Sequence, residues 1–268
     1  MTRNGLSYCF THAIARTPAR SIGQGLRAVD RGTPGFDRFA AEHRSYVNAL
    51  KYAGLDVTVL NSLDKFPDSV FIEDAALCLP EGAVLLKPGT PSRTGEADLL
   101  APDLSSLGLK IHPNRSAGFI DGGDILVTDS IVLVGLSSRT DRAGFEWLKS
   151  LLEAWEYHVK AVETPAQVLH FKSDCCVLDS TTILATSRLS KQSCFASFRV
   201  LTVPPGEEPA ANSIRVNDTV LIPGGFPATA EMLAREGYSI HQVPVTQPSL
   251  LDGGLSCMSL RFSRILPA

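Results

Sequence analysis

The chain has 268 residues, 44% hydrophobic and 20% charged, which is enough to bury a substantial core and predicts one large α/β domain over residues 1–268. Its formal net charge of −3 at pH 7 provides no basic field for nucleic acid or an anionic membrane surface, so we expect a small-molecule partner instead. No stretch approaches the roughly 18 apolar residues of a membrane helix, and the first residues lack a signal-peptide core. We therefore expect a cytoplasmic protein, whose six cysteines, without a CxxC pair, predict reduced thiols rather than a zinc site.

Strand, helix and strand signals alternate along the chain. Residues 36–60 have the pattern of a helix followed by a strand, and the connectors at 143–156 and 227–237 also have helical spacing. The paired strand-like runs, in chain order, are 83–87 with 107–112, 131–135 with 157–162, and 219–223 with 238–244. This repetition indicates four or five related modules.

Glycine pairs interrupt the pattern at three places. Asp121-Gly122-Gly123 and Asp252-Gly253-Gly254 each precede an apolar run, and Gly224-Gly225 occupies a similar position. Such pairs permit positive φ or a close backbone approach, and a simple turn is enough to explain Gly224-Gly225. A G-x-G-x-x-A match at 23–28 does not predict a dinucleotide loop, because Pro18 and polar residues separate it from the preceding strand.

Two residue types at strand ends suggest nucleophilic chemistry. Cys257 lies in a short apolar run just after a glycine turn, where a strand should begin, and His170 lies between an apolar run and a polar one. Taken singly, a cysteine in such a run is usually a small core residue and a single histidine is usually structural. Cys175 and Cys176 follow His170 too closely for a usual zinc spacing, so we expect no metal ligands there.

Carboxylates surround apolar runs at two further places. Asp68, Glu73 and Asp74 lie around one run, and Asp121 and Asp124 lie before another. Acids at strand ends are commonly solvated turn residues. Because the same arrangement occurs twice, an acidic pocket suited to a cation is the alternative.

Together these motifs resemble one family, the dimethylarginine dimethylaminohydrolases of the pentein, or arginine deiminase, superfamily. The resemblance runs from about His12 to Phe262 and is carried, in order, by IARTPARS, FPDSVFIEDAALC, PGTPSRTGE, DGGDIL, VGLSSRT, LHFKSDCC, AANSIRVN and LDGGLSCMSLRF. It implies a five-bladed α/β propeller of ββαβ modules around a central active site. The segment 178–198 is less similar to the family, which leaves the outer part of the fourth module open.

The resemblance also implies a role for each matching residue. The residues implied for catalysis are Cys257 as nucleophile, His170 as general acid and base, and Asp121 as the carboxylate that orients His170. Those implied for substrate binding are Glu73 and Asp74 for the guanidinium, Asp68 for the ammonium, Arg93 and Arg139 for the carboxylate, and Leu26 on a mobile lid. No cofactor and no metal are implied.

The expected reaction is hydrolysis of N-omega-methylated arginine to citrulline and an alkylamine through a thiouronium on Cys257. The same residues acting on arginine or hydroxyarginine, or passing the amidino group to an amine, stay open as alternatives, as does a non-catalytic binding module. Glu73, where arginine deiminases have arginine, argues against plain arginine deimination. A homodimer is also left open.

Overall fold

The computed structural model describes residues 5–263, whose strands form five three-stranded sheets. The strands are β1 (His12–Arg16), β2 (Asp56–Leu60), β3 (Ala76–Leu79), β4 (Gly82–Leu85), β5 (Ile111–His112), β6 (Ile125–Val127), β7 (Val132–Leu136), β8 (Val159–Glu163), β9 (Cys175–Val177), β10 (Thr182–Ala185), β11 (Arg199–Thr202), β12 (Ile214–Val216), β13 (Thr219–Pro223), β14 (Ser239–Val243) and β15 (Leu260–Phe262). The sheets have the orders β15-β1-β2, β3-β4-β5, β6-β7-β8, β9-β10-β11 and β12-β13-β14.

Each sheet has the same pairing pattern. An antiparallel pair joins its first two strands, and a crossover then brings the third strand parallel to the central one. The first sheet takes β15 from the end of the chain, with His12 opposite Phe262, and this pairing closes the ring. The predicted five-bladed α/β propeller is therefore confirmed.

Four α-helices provide crossovers: α1 (Phe36–Tyr52), α2 (Glu96–Ser106), α3 (Arg142–Glu153) and α4 (Pro227–Arg235). In α3 the Asp141 side chain caps the helix by accepting the Gly144 N–H, and Phe145, Leu148 and Leu152 are buried against the sheet. The predictions of α1, α3 and α4 are confirmed. The sequence showed only a polar connector at α2, which carries Pro102 in its interior.

The fourth module departs from the expected ββαβ unit. Between β10 and β11 the only helical element is a 3₁₀ turn, Ser193–Phe195. The connecting segment 186–198 is rich in serine, and serine side chains compete with the backbone for the hydrogen bonds of a helix. The expected unit thus holds in four modules, and in the fourth, whose outer part the sequence had left open, a 3₁₀ turn takes the place of the α-helix.

Short 3₁₀ turns line the inner edge of the ring and precede the first strand of each sheet. In chain order they are Ile72–Ala75, Gly122–Asp124, Phe171–Ser173, Glu208–Ala211 and Ser256–Met258. The apolar core lies around them in clusters of buried side chains between the modules. Because the same turn recurs in every module, the ring gathers polar residues from distant parts of the sequence around one axis. No helix within residues 5–263 is long and apolar enough to cross a bilayer.

Candidate active site

One pocket on the axis collects most of the residues implied for the site. Seven of the nine line it: Leu26, Asp68, Asp74, Arg93, Arg139, His170 and Cys257. The other pocket residues include Asp252, Gly253 and Phe71. Asp121 lies directly behind His170, whereas Glu73 faces a different cavity.

His170 and Asp121 form a buried pair. The His170 Nε2 lies 2.9 Å from Oδ2 of Asp121, whose other oxygen accepts the Gly89 N–H at 2.7 Å. Burial alone would lower the pKa of His170, but the charge of Asp74, the bond to Asp121 and the charge of Asp124 outweigh it and raise the pKa to about 9. His170 is therefore an imidazolium at neutral pH, ready to donate a proton.

Asp74 joins this pair to the substrate side of the pocket. Its Oδ1 accepts the Gly123 N–H at 2.9 Å, and its Oδ2 lies 2.6 Å from Nη1 of Arg93. Burial raises the pKa of Asp74, but the positive charges of His170 and Arg93 more than compensate, so the net shift is downward. A Cβ on Gly123 would lie 2.6 Å from Nδ1 of His170, so this position requires glycine for close approach.

Cys257 lies on the turn Ser256–Met258, directly before β15, as the sequence predicted. The Gly254 N–H points at its Sγ from 3.4 Å. Burial, followed by the charges of Glu73 and Asp74, raises the pKa of Cys257 to about 11. Without a bound cation the group is therefore a protonated thiol at neutral pH.

Asn212 fixes the turn that carries Cys257, and no single-sequence pattern had suggested this role. Its Oδ1 accepts the Ser256 N–H at 2.9 Å, and its Nδ2 donates to Oγ of Ser256 and to the carbonyl of Lys172. A Cβ on Gly254 would lie 2.4 Å from the Asn212 Oδ1. Neither Gly254 nor Gly123 has a positive φ, so both Asp-Gly-Gly turns need glycine for close packing and not for backbone conformation.

The far end of the pocket carries the residues implied for the amino-acid end of a substrate. Asp68 accepts the Leu26 N–H at 2.9 Å, and burial raises its pKa against the opposing charge of Arg93. The side chain of Arg139 has no hydrogen bond or ion pair with any residue in 5–263. Its guanidinium is thus available for a ligand.

Arg93 differs from Arg139 because most of its N–H donors already bind protein groups. Four of its five N–H donors are used, by Asp74, by both oxygens of Glu96 and by the carbonyl of Phe71. One donor is left for a ligand. The sequence had suggested two equivalent arginines, and it had not identified Glu96.

Glu73 does not line this pocket, contrary to the expectation that it would meet the guanidinium beside Asp74. Its Oε1 pairs with Nζ of Lys172 at 2.6 Å and with Nη2 of Arg261 at 3.0 Å, and it lines a chamber on the other side of the turns. Successive residues of a 3₁₀ helix point about 120° apart, so Glu73 and Asp74 diverge. Glu73 acts on Cys257 through its charge.

The ligand atoms of Asp74, Asp121 and His170 lie within 4.8 Å of one another, a spacing that can suit a metal ion. Hydrogen bonds and the ion pair with Arg93 already use these carboxylates. The carboxylates of this cluster thus have protein partners of their own.

A five-bladed α/β propeller whose central pocket combines a cysteine, a His–Asp pair and further carboxylates defines the pentein class of proteins. Within that class, the chain belongs to the dimethylarginine dimethylaminohydrolase family. The family model described as N,N dimethylarginine dimethylhydrolase, eukaryotic, matches residues 36–191. A dimethylarginine dimethylaminohydrolase from Pseudomonas aeruginosa is 35% identical over 254 residues, which are 94% of this chain and 100% of that one.

Solved structures agree with this assignment. A variant of the Pseudomonas aeruginosa enzyme in complex with citrulline superposes with a TM-score of 0.91 at 35% identity and covers 95% of this chain and 100% of its own. A dimethylarginine dimethylaminohydrolase adduct with S-methyl-L-thiocitrulline gives the same TM-score, 0.91, at 35% identity, and covers 94% of this chain and 100% of its own.

Proposed function

We propose that this chain hydrolyses N-omega-methylated arginine, either asymmetric dimethylarginine or monomethylarginine, to L-citrulline and dimethylamine or methylamine. The observation that carries the proposal is that Cys257 and the His170–Asp121 pair share one pocket with Asp74. The family's relatives and their ligands support the same reaction. No cofactor enters the mechanism.

Charged side chains of the pocket bind the α-carboxylate and the α-ammonium of the substrate. Arg139 offers a planar guanidinium to the α-carboxylate, with the remaining donor of Arg93 beside it. Asp68 accepts the ammonium, and Leu26 covers the substrate from the loop that Asp68 holds. Recognition of both groups favours a free amino acid over an arginine within a peptide.

The guanidinium itself helps to create the nucleophile. A cation beside Cys257 offsets the charges of Glu73 and Asp74 that hold its pKa near 11, so the thiol loses its proton more readily once substrate is bound. Asp74 accepts charge-assisted hydrogen bonds from the guanidinium and holds its carbon in line with the sulfur.

The thiolate of Cys257 then attacks the guanidinium carbon and forms a C–S bond. The His170 imidazolium, held by Asp121, donates its proton to the departing amine as the C–N bond breaks, which leaves a thiouronium on the cysteine. Neutral His170 next takes a proton from water, and the resulting hydroxide attacks the same carbon. Collapse of this adduct breaks the C–S bond, and the hydroxyl proton passes to the departing sulfur. This step releases the ureido product and restores the Cys257 thiol and the His170 imidazolium.

The test is citrulline release from asymmetric dimethylarginine by the wild type and by Cys257→Ser, with Cys9→Ser, a change at an exposed thiol, as the matched control. We expect turnover by the wild type and by Cys9→Ser, and a loss of about 10³-fold or more in Cys257→Ser. Faster turnover of arginine or hydroxyarginine, or transfer of the amidino group to an added amine, would contradict the proposed reaction.

We also propose a cytoplasmic location, since all six cysteines are free thiols and the nucleophile requires a reducing compartment. The arrangement of residues 1–268 as one domain and a homodimeric assembly remain predictions. Limited proteolysis tests the first and sedimentation of the purified protein tests the second.

A further inference from the structure

Asp124 is a fully buried carboxylate beside the active site that does not line the substrate pocket. Three protein groups donate to it. The Phe171 N–H donates to its Oδ1 at 2.8 Å, and the hydroxyls of Ser137 and Thr140 both donate to its Oδ2 at 2.7 Å. Because all three partners are donors, they favour the ionised carboxylate, as does the charge of His170, but burial outweighs these effects and the pKa of Asp124 is raised.

The two hydroxyl bonds fix the loop that carries Arg139. Ser137 Oγ, which donates to Asp124, accepts the backbone N–H of Arg139 at 3.0 Å and that of Thr140 at 3.2 Å. The side chain of Arg139 has no protein partner within residues 5–263, so its direction depends on this loop. Asp124 therefore controls where the substrate carboxylate is held.

The remaining contacts of Asp124 lead to the acid–base pair. Phe171, whose N–H it accepts, directly follows His170, and Thr140 Oγ1 also accepts the Asp121 N–H at 3.1 Å. The charges that face His170 are those of Asp74, Asp121 and Asp124. Asp124 thus binds the backbone N–H that follows His170, the hydroxyl that holds the Asp121 N–H and the hydroxyl that holds the Arg139 N–H.

We propose that Asp124 is a positioning residue. It fixes Arg139, the arginine proposed to bind the substrate carboxylate, relative to the acid–base pair of His170 and Asp121. The inference rests on the proposed function and goes beyond it, because Asp124 reaches no substrate atom. Its effect passes through the Ser137–Thr140 loop on one side and through Phe171 on the other.

The first variant is Asp124→Asn, which keeps the shape but removes the charge and one acceptor. Its amide cannot accept from Phe171 and from both hydroxyls at once. We expect KM for dimethylarginine to rise and kcat to fall, each about tenfold, and the alkaline limb of the pH profile to move to lower pH as His170 loses a neighbouring charge. Wild-type turnover of dimethylarginine is measured first, so that failure of the proposed function is seen separately.

Ser137→Ala tests the effect on Arg139 separately from the effect on the acid–base pair. It removes the hydroxyl that holds the Arg139 loop but keeps the bonds of Asp124 to Thr140 and Phe171. We therefore expect KM for dimethylarginine to rise about tenfold while kcat/KM for dimethylagmatine, which lacks the carboxylate, changes less than twofold. Asp124→Asn should reduce kcat/KM for both compounds. If either variant lowers kcat/KM equally for both compounds with no change in the pH profile, Asp124 is merely structural and the proposal is wrong.

Thr140→Val is the alternative variant if Asp124→Asn fails to fold. It removes the hydroxyl that joins Asp124 to the Asp121 backbone, and Thr140→Ser should restore that link. We expect Thr140→Val to lower kcat and to shift the pH profile, and Thr140→Ser to return both to near the wild-type values. An unshifted profile in Thr140→Val, or no rescue by serine, overturns the proposal.

Discussion

Glu73 and Asp74 are neighbours on one short turn, yet they serve two different cavities. Asp74 faces the substrate pocket with Arg93 and the Gly123 N–H. Glu73 faces a chamber on the other side of the turns, where Lys172 and Arg261 neutralise it. Both carboxylates thus have cationic partners, but only Asp74 lies on the wall of the substrate pocket.

The two carboxylates differ in the cavity that they face more than in charge or pairing. Both carboxylates are ionisable and buried, and both raise the pKa of Cys257. Only Asp74 is also a principal cause of the raised pKa of His170. We therefore expect substitutions at the two positions to separate the chemistry of His170 from the reactivity of Cys257.

The largest effect expected at these two carboxylates is that of Asp74→Asn on turnover. The change removes the proposed acceptor for the guanidinium and a charge that keeps His170 protonated, so we expect kcat to fall by about 10²–10³-fold. The measurement is steady-state citrulline formation from asymmetric dimethylarginine, with melting temperature as a check on folding.

Glu73→Gln is the matched control, because it removes a carboxylate one residue away that does not line the pocket. Its kcat should exceed that of Asp74→Asn by at least about tenfold. Equal losses in the two folded variants would contradict the assignment of Glu73 and Asp74 to different cavities.

A second expected effect concerns stability on the chamber side. Glu73→Gln leaves Lys172 and Arg261, which are partly buried, without their common partner, and breaking a buried ion pair by removing one member typically costs about 3 kcal/mol. Lys172→Met in the Glu73→Gln background should recover part of this loss, because one of the uncompensated cations is then gone. Chemical denaturation of the two single variants and the double variant measures the coupling.

The control for stability is Glu231→Gln, whose partner Arg235 forms an exposed ion pair along α4. Exposed pairs contribute little, so its melting temperature should stay at the wild-type value. An equally small effect of Glu73→Gln would mean that the chamber cluster is not a stabilising element.

The sequence pattern indicated four or five repeated modules because strand and helix signals are local, and the family resemblance implied the five-bladed propeller. The apolar runs around Cys257 and His170 marked them only as candidates, and the family resemblance implied their roles. The sequence could not show that the Glu73 side chain points away from the pocket, because the directions of neighbouring side chains depend on the 3₁₀ turn that carries them. Asn212 likewise acts through contacts with Ser256 and Lys172 that are distant in the chain.

The smallest expected effect is on the reactivity of the free thiol. With its pKa raised to about 11, Cys257 is protonated at pH 7, so alkylation by neutral iodoacetamide should accelerate about tenfold per pH unit between pH 7 and 10 and level off near pH 11. A cationic chloroacetamidine should react faster than iodoacetamide at pH 7, and this advantage should shrink as the pH rises, because the bound cation promotes loss of the proton. Mass spectrometry locates the label.

Glu73→Gln sharpens this test because it removes the charge that contributes most, after burial, to the raised pKa of the Cys257 thiol. The uncompensated cations of Lys172 and Arg261 act in the same direction, so iodoacetamide should label Cys257 about tenfold faster at pH 8 than in the wild type. The same variant should leave the alkaline limb set by His170 in place, whereas Asp74→Asn should move it to lower pH. If the thiol is no more reactive in Glu73→Gln than in the wild type, the charges in the chamber do not affect the pocket. The bound cation would then have to offset only the charge of Asp74 to activate Cys257.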